Sequence, residues 1–391
     1  MARIRNGQAE RTRYPGVWRK PSGRYEARWT LNGKKYGKTF DTLDEARSYR
    51  RKMNEAKQQG AAVTPTRTRT TFATYAEGWF AGKEAAPTTK AGYRSYLDCH
   101  LLPTFGSRSL GKLTRADVKR FLVELTDAGL SNTTRRKVFL LLRAILNEAV
   151  ADGYLLANPS DGIKPPAEDK HDPQFLSAAE VHRLAQAFRE PYRALVYVLA
   201  YGGLRFGEAA ALRRRDCDLL RRRLTVGRNA ASVSGRIHYK DTKTERTRAV
   251  FLPTFVSEEL ARHLESIPAD PDALAFPSPT GKPLRYGNFR RNDWNPSTQA
   301  AGFGTWAKDA DGRKHWTGLT PHDLRHTCAS LLIAVGEQPK AVSAQLGHAS
   351  VRMTYDTYGH LFDGHMDASM DALDRQAREA SDLPDNVLRL G

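Results

Sequence analysis

Cysteine is scarce in this 391-residue chain. The three present, Cys99, Cys217 and Cys328, lie far apart with no CxxC pair. That spacing argues against a disulfide framework and against a cysteine-built zinc site. Long apolar runs are also missing. The longest, Ala194 to Leu204, is too short to cross a bilayer. The opening Met1-Ala2-Arg3-Ile4-Arg5-Asn6 lacks the apolar core of a signal peptide. A cytoplasmic, nucleoid-associated protein with no membrane partner is expected. There are no internal repeats and no long low-complexity tracts.

Acidic residues are in deficit: 43 Asp and Glu stand against 62 Lys and Arg, a formal net charge of +19. Such an excess favours a polyanionic partner, because neutralising phosphates releases condensed counterions. The excess is uneven. Residues 1–70 hold 18 basic against 6 acidic side chains, whereas residues 362–391 hold 3 against 7. A hydrophobic content of 40% excludes a disordered chain, and the length allows two or three domains.

Residues 1–60 read as a small basic module. Val17-Trp18 opens a strand, and Pro21-Ser22-Gly23 turns it. Tyr25, Ala27, Trp29 and Leu31 then alternate with polar residues. Asn32-Gly33 is a hairpin signal, and Lys34 to Phe40 forms the return strand. Thr42-Leu43-Asp44-Glu45 is a capping box for a helix to about Gln59. A three-stranded sheet carrying Arg19, Lys20, Arg24, Arg28, Trp29, Lys34 and Lys35 suits entry into a DNA groove. A merely solvated basic face would have the same composition.

Residues 61–70 lack apolar periodicity and read as a linker. Helices are expected over Tyr75–Lys83 and Thr88–Leu101, the latter stopped by Pro103. Others follow from the Thr114-x-x-Asp117 cap to near Gly129 and from Asn132 to Asp152. Arg135 and Arg136 at the start of the last could meet a duplex. Together these make a helical domain over 71–157. A proline-rich second linker covers 158–173. The segment 174–391 is mixed: helices at 178–189, 192–201, 254–266, 286–300, 321–335, 339–346 and 350–358, and strands at 223–228, 236–240 and 246–252. The fold class is thus multidomain, mainly α with small β-sheets.

The chemistry gathers in that last segment. In Gly203-Leu204-Arg205-Phe206-Gly207-Glu208 an arginine follows an apolar run between two glycines, which let the backbone turn and a phosphate approach. A structural Arg–Glu pair would explain the motif equally well. His322-x-x-Arg325 puts both side chains on one face near a helix N-terminus, a place that favours anions. Arg325 can fork onto two phosphate oxygens, and His322 can relay a nucleophile's proton. Leu346-Gly347-His348 ends a helix at glycine and projects a histidine. Tyr358 follows, backed by Leu361 and Phe362.

The order Arg, Lys, His-x-x-Arg, His, Tyr, in the contexts GLRxGE, HDLRH and LGH, resembles the tyrosine recombinase (phage-type integrase) family, and the resemblance covers nearly the whole chain. It implies an arm-type DNA-binding module over 1–60, a helical core-binding domain over 71–157 and an α+β catalytic domain. By that resemblance Arg205 and Arg325 clamp the scissile phosphate, His348 donates to a nonbridging oxygen, and His322 assists proton transfer. Tyr358 attacks to give a 3′-phosphotyrosine, and Lys243, in the register Lys243…Arg248-x-Val250-x-Leu252-Pro253, is the general acid. Tyr355 falls too near His348 to be the nucleophile. The resemblance also implies double-stranded attachment-site DNA as substrate, a homotetramer on that DNA, and possible excisionase and DNA-bending partners. No cofactor or metal is expected, because the arginines carry the charge and His348, His360 and His365 lack zinc-site spacing. Integration for a phage or mobile element is the primary reading. A resolvase, topoisomerase-like or telomere-resolving enzyme shares the chemistry, and a catalytically dead DNA-binding regulator is the rival from another class.

Overall fold

Alternation along Tyr25–Leu31 turns Ala27 and Trp29 inward and Arg28 and Thr30 outward, and the first sheet of the chain is built on that strand. In the computed structural model the sheet is antiparallel and four-stranded, Glu10–Arg11, Val17–Arg19, Tyr25–Leu31 and Lys34–Phe40 in sequential order. The strand Glu10–Arg11 adds to the expected three, pairing Arg11 with Trp18. The structure describes residues 9–31, 34–58, 65–169, 173–233, 235–241, 247–308, 312, 314–362 and 365–381. The Asn32-Gly33 turn and residues 61–64 of the 61–70 linker lie outside them. Two compact units are present, Met1–His171 and Asp172–Gly391.

Helix Leu43–Gln58 starts at the expected box: the Glu45 N–H donates to Thr42 Oγ1, and the Thr42 N–H donates to the Glu45 carboxylate. Its Ala46 and Met53 are buried, as are Val17, Ala27 and Trp29 of the sheet. Pro65–Arg69 is a short helix where an irregular linker was expected. Helices Phe72–Gly82, Pro87–Tyr96, Arg115–Asp127 and Asn132–Ala151 then enclose a core that includes Phe72, Leu101, Phe121, Val138, Leu142 and Ile145. Pro103 does not stop its helix. The chain widens into a π turn over Leu97–Leu101 and resumes as Leu102–Phe105. Proline there falls in a first turn, where its missing N–H is not needed.

The second unit is organised around helix Glu190–Gly202, apolar on every face and almost entirely buried. Helices Ala178–Gln186, Thr254–Glu265 and Asp323–Ala334 pack on it. Strands Cys217–Asp218, Arg223–Val226 and Arg248–Phe251 form an antiparallel sheet, and Arg228–Val233 pairs with Arg236–Asp241 in a separate ribbon. The single strand expected at 223–228 is therefore divided at Gly227 between two sheets. The helix expected at 286–300 carries a π turn at Arg290–Trp294. A hairpin, Gly304–Lys308 with Lys314–Gly318, was not foreseen. Its Trp306 and Trp316 pair across the strands edge to face. Helices Pro339–Leu346, Val351–Tyr358 and His365–Ser381 follow. No helix among the described residues is long and apolar enough to cross a membrane.

Candidate active site

Helix Glu190–Gly202 ends because Gly203 adopts φ +67°, a left-handed conformation that glycine alone accepts without penalty. A Cβ at Gly203 would come within 2.6 Å of Leu346 Cδ2 and 3.0 Å of Cys328 Sγ. The backbone turns as expected, but its close neighbours are two other helices of the unit. The turn delivers Arg205 to a half-exposed position. Arg205 Nη1 donates to Glu208 Oε1 at 3.0 Å, and its backbone N–H donates to Glu208 Oε2 at 2.9 Å. Glu208 is 2% exposed and also receives Arg248, at 3.1 and 2.7 Å. Burial pushes the Glu208 carboxyl up, but the Arg248 and Arg205 hydrogen bonds and charges outweigh it and hold it below the usual range. A Cβ at Gly347, where φ is +69°, would strike the Arg248 side chain at 2.8 Å.

Arg325 comes from helix Asp323–Ala334 and is 3% exposed. Its Nη1 donates to the carbonyls of Gly203, at 2.7 Å, and Leu346, at 2.6 Å, at the ends of two helices. Its Nη2 is buried and has no hydrogen-bond partner among the described residues. Burial first, then the charge of Arg205, pushes the guanidinium down to about 10, so it stays charged at neutral pH. Two cations that repel one another, one with an unused buried N–H, define an anion site.

His348, just past the glycine cap, bonds through Nδ1 to Thr354 Oγ1 at 2.8 Å. Burial, then the charges of Arg325 and Arg205, pushes His348 down to about 4, so the imidazole is neutral. In the tautomer in which Thr354 donates to Nδ1, the imidazole hydrogen sits on Nε2 and can be offered to an oxygen. Thr354 and Tyr358 share one face of helix Val351–Tyr358, four residues apart. The Tyr358 ring lies parallel to His348, centroids 6.4 Å apart, and is 1% exposed. Burial pushes its phenol up to about 12. The Tyr358 hydroxyl lies 2.8 Å from Nδ1 of His326. Tyr355, by contrast, is 54% exposed.

Arg205, Arg325, His348 and Tyr358 are thus assembled in one unit by the ends of four helices. His322 is exposed at the start of its helix and meets the cluster through His326, rings edge to face at 4.9 Å. Lys243 lies outside the described residues, between strands Arg236–Asp241 and Arg248–Phe251. Sequence reasoning missed His326, Thr354 and the anchoring role of Arg248. The spacing signals were present: His326 lies one turn after His322, and Thr354 one turn before Tyr358.

In the N-terminal module Trp29 requires correction. It is 7% exposed and packs against Tyr36 and Tyr49, so it belongs to the core of the module and not to its outward basic face. The aromatic on the outer face is Trp18, with Arg28 over its ring at 4.5 Å and Arg11 at 5.0 Å. Arg28 also pairs with Glu26, Lys20 bonds Thr39 at 2.8 Å, and Arg24 pairs with Asp41. Arg19 and Lys35 are exposed, and Lys34 opens the last strand opposite Leu31. Arg135 is tied to Thr126 and Asn132, and Arg136 to the Pro166 carbonyl and Glu168, so both are engaged with the chain itself.

Residues 174–365 match the phage integrase family, and residues 71–126 match its N-terminal SAM-like domain. The integrase of Mycobacterium phage D29 is 30% identical over 288 residues, 71% of this chain and 72% of that protein. Among solved structures, the Tn1549 transposon integrase in complex with a circular intermediate DNA superposes with a TM-score of 0.63 at 20% identity, covering 77% of this chain and 98% of that one. A lambda integrase tetramer bound to a Holliday junction gives 0.55 at 18%, covering 89% and 96%. The chain belongs to the phage integrase family, the tyrosine recombinases.

Proposed function

We propose that this protein integrates the DNA of a phage or other mobile element, with Arg205, Arg325, His348, Lys243 and Tyr358 as the reacting set. The observation that carries the reading is the buried, unpartnered Nη2 of Arg325 beside a second guanidinium that repels it. A nonbridging phosphate oxygen satisfies the first and relieves the second. As Tyr358 attacks, negative charge grows on the phosphorane, and donors already fixed in place stabilise it without rearranging. The neutral His348 offers its Nε2 hydrogen to the same oxygens. Lys243 protonates the departing 5′-oxygen, leaving a 3′-phosphotyrosine. That ester keeps the free energy of the broken bond, so a second strand's 5′-hydroxyl can reverse the step without ATP.

Residues 71–157 and the catalytic segment 174–391 grip the core site, and residues 1–60 read a separate arm site through the face bearing Arg11, Trp18, Arg28 and Lys35. A homotetramer on DNA, the assembly named for lambda integrase, is the working form. An excisionase and a DNA-bending factor set its direction, and it acts in the cytoplasm at the nucleoid. Incubation with a nicked duplex carrying the element's attachment core, labelled at the scissile phosphate, tests the chemistry. The label should move onto Tyr358. Binding without transfer would mark a dead regulator.

A further inference from the structure

The phenolic proton of Tyr358 must leave as the oxygen–phosphorus bond forms, and the hydroxyl is already paired. We infer that His326, and not His322, is the base that takes it. His326 Nδ1 is 2.8 Å from the Tyr358 hydroxyl, within the range of direct proton transfer. The two rings meet edge on, with centroids 5.7 Å apart. His322 is four residues earlier, exposed, and contacts His326 by its ring. His348 is occupied at Nδ1 by Thr354, and its ring lies parallel to Tyr358 instead of pointing at the hydroxyl.

The fold fixes this pair from both sides. Arg325, the residue before His326, is locked to the Gly203 and Leu346 carbonyls, which sets the rotation of the helix and hence where His326 points. Tyr358 is 1% exposed and held against the same helix with Cys328 and Ala329. A phenol pushed up to about 12 by burial does not ionise unaided at neutral pH, so an acceptor in contact has work to do. In the step, the Tyr358 O–H breaks and its proton goes to His326 Nδ1. The phenolic oxygen bonds to phosphorus, the P–O5′ bond breaks, and the 5′-oxygen takes a proton from Lys243. In the reverse reaction His326 returns its proton to Tyr358. His322 is left to serve the phosphate or to hold His326.

This inference rests on Tyr358 as nucleophile, and the experiment separates the two. Full-length protein is prepared with Tyr358 or with 3,5-difluorotyrosine at that position, whose more acidic phenol needs less help from a base. Each is combined with His326→Ala, His326→Asn or His322→Ala. Single-turnover cleavage of a nicked attachment-core duplex is the readout, with melting and core-DNA affinity as folding controls. With ordinary Tyr358, His326→Ala should slow cleavage by roughly 100-fold or more, and with the fluorinated phenol the same change should cost under about tenfold. His326→Asn keeps an acceptor oxygen but little basicity. It should fold if alanine does not, and should show the same relief. Equal losses in both backgrounds, no loss at all, or relief that follows His322→Ala would overturn the assignment. Adduct formation by Tyr358→Phe would instead sink the underlying nucleophile.

Discussion

Arg248 grips Glu208 with both terminal nitrogens, at 3.1 and 2.7 Å, across 40 residues of sequence, and Glu208 in turn holds Arg205. Arg205 is thus held, through Glu208, by a residue of strand Arg248–Phe251. Removing Arg248 leaves a carboxylate, 2% exposed, with only part of its charge balanced. Arg248→Met should cost about 3 kcal/mol in urea unfolding. Adding Glu208→Met should restore much of that stability, while cleavage stays low because Arg205 has lost its guide. Recovery of both together would show that the pair serves folding alone.

Arg205→Lys and Arg325→Lys keep a positive charge but lose the planar fork. Each should lower single-turnover cleavage by about 100- to 1,000-fold, the usual effect of losing one fixed donor to a developing oxyanion. Core-DNA affinity should change far less. Near-normal cleavage by either variant would reassign that arginine to structure.

Tyr358→Phe should fold and bind core DNA yet form no covalent adduct, since only the hydroxyl and its bond to His326 are lost. Tyr355→Phe should be indistinguishable from the parent. A denaturing gel of labelled DNA after trapping reports both.

His348 gives stability a predictable pH dependence. In the folded protein it binds a proton only near pH 4, whereas an unperturbed histidine does so near 6.5. Between those values the unfolded chain holds the extra proton, so acid favours unfolding. The contribution is fully present above 6.5 and is lost as the pH falls towards 4. Urea midpoints at about pH 7.5 and about pH 5 should differ less in His348→Gln than in the parent. An unchanged difference would place the acid sensitivity elsewhere.

The two tryptophans of the N-terminal sheet should part company. Trp29→Ala removes a core side chain and should destabilise the module by about 3–5 kcal/mol. Trp18→Ala should leave it folded but weaken binding to arm-site DNA. Deleting residues 1–65 should spare core cleavage and flatten the salt dependence of binding, each lost phosphate contact removing about 0.9 from the slope. Footprints and salt titrations with both lengths provide the check.

The helices were legible wherever period and cap agreed, as at Thr114 with Asp117 and along Asn132–Ala151. Pro103 misled because a π turn, which no local residue announces, absorbs it. Trp29 misled because strand alternation sorts residues into two faces without saying which face is covered; the helix Leu43–Gln58 decides that. In the active site the motifs were visible, but the wiring was not. The His326–Tyr358 and Arg248–Glu208 bonds join residues 32 and 40 apart, and such pairings are fixed only when the elements pack.

Arg325 fastens the ends of two helices with one nitrogen, while the other is buried with no hydrogen-bond partner among the described residues. Losing it therefore harms the folded state as well as the reaction, whereas losing the Tyr358 oxygen harms only the reaction. When an element no longer needs to move, its abandoned copies will shed these two groups in a fixed order. The hydroxyl goes first and unnoticed; the arginine goes only when the protein itself is no longer required. A relic that retains Arg325 is thus evidence that the chain still folds, not that it still cuts.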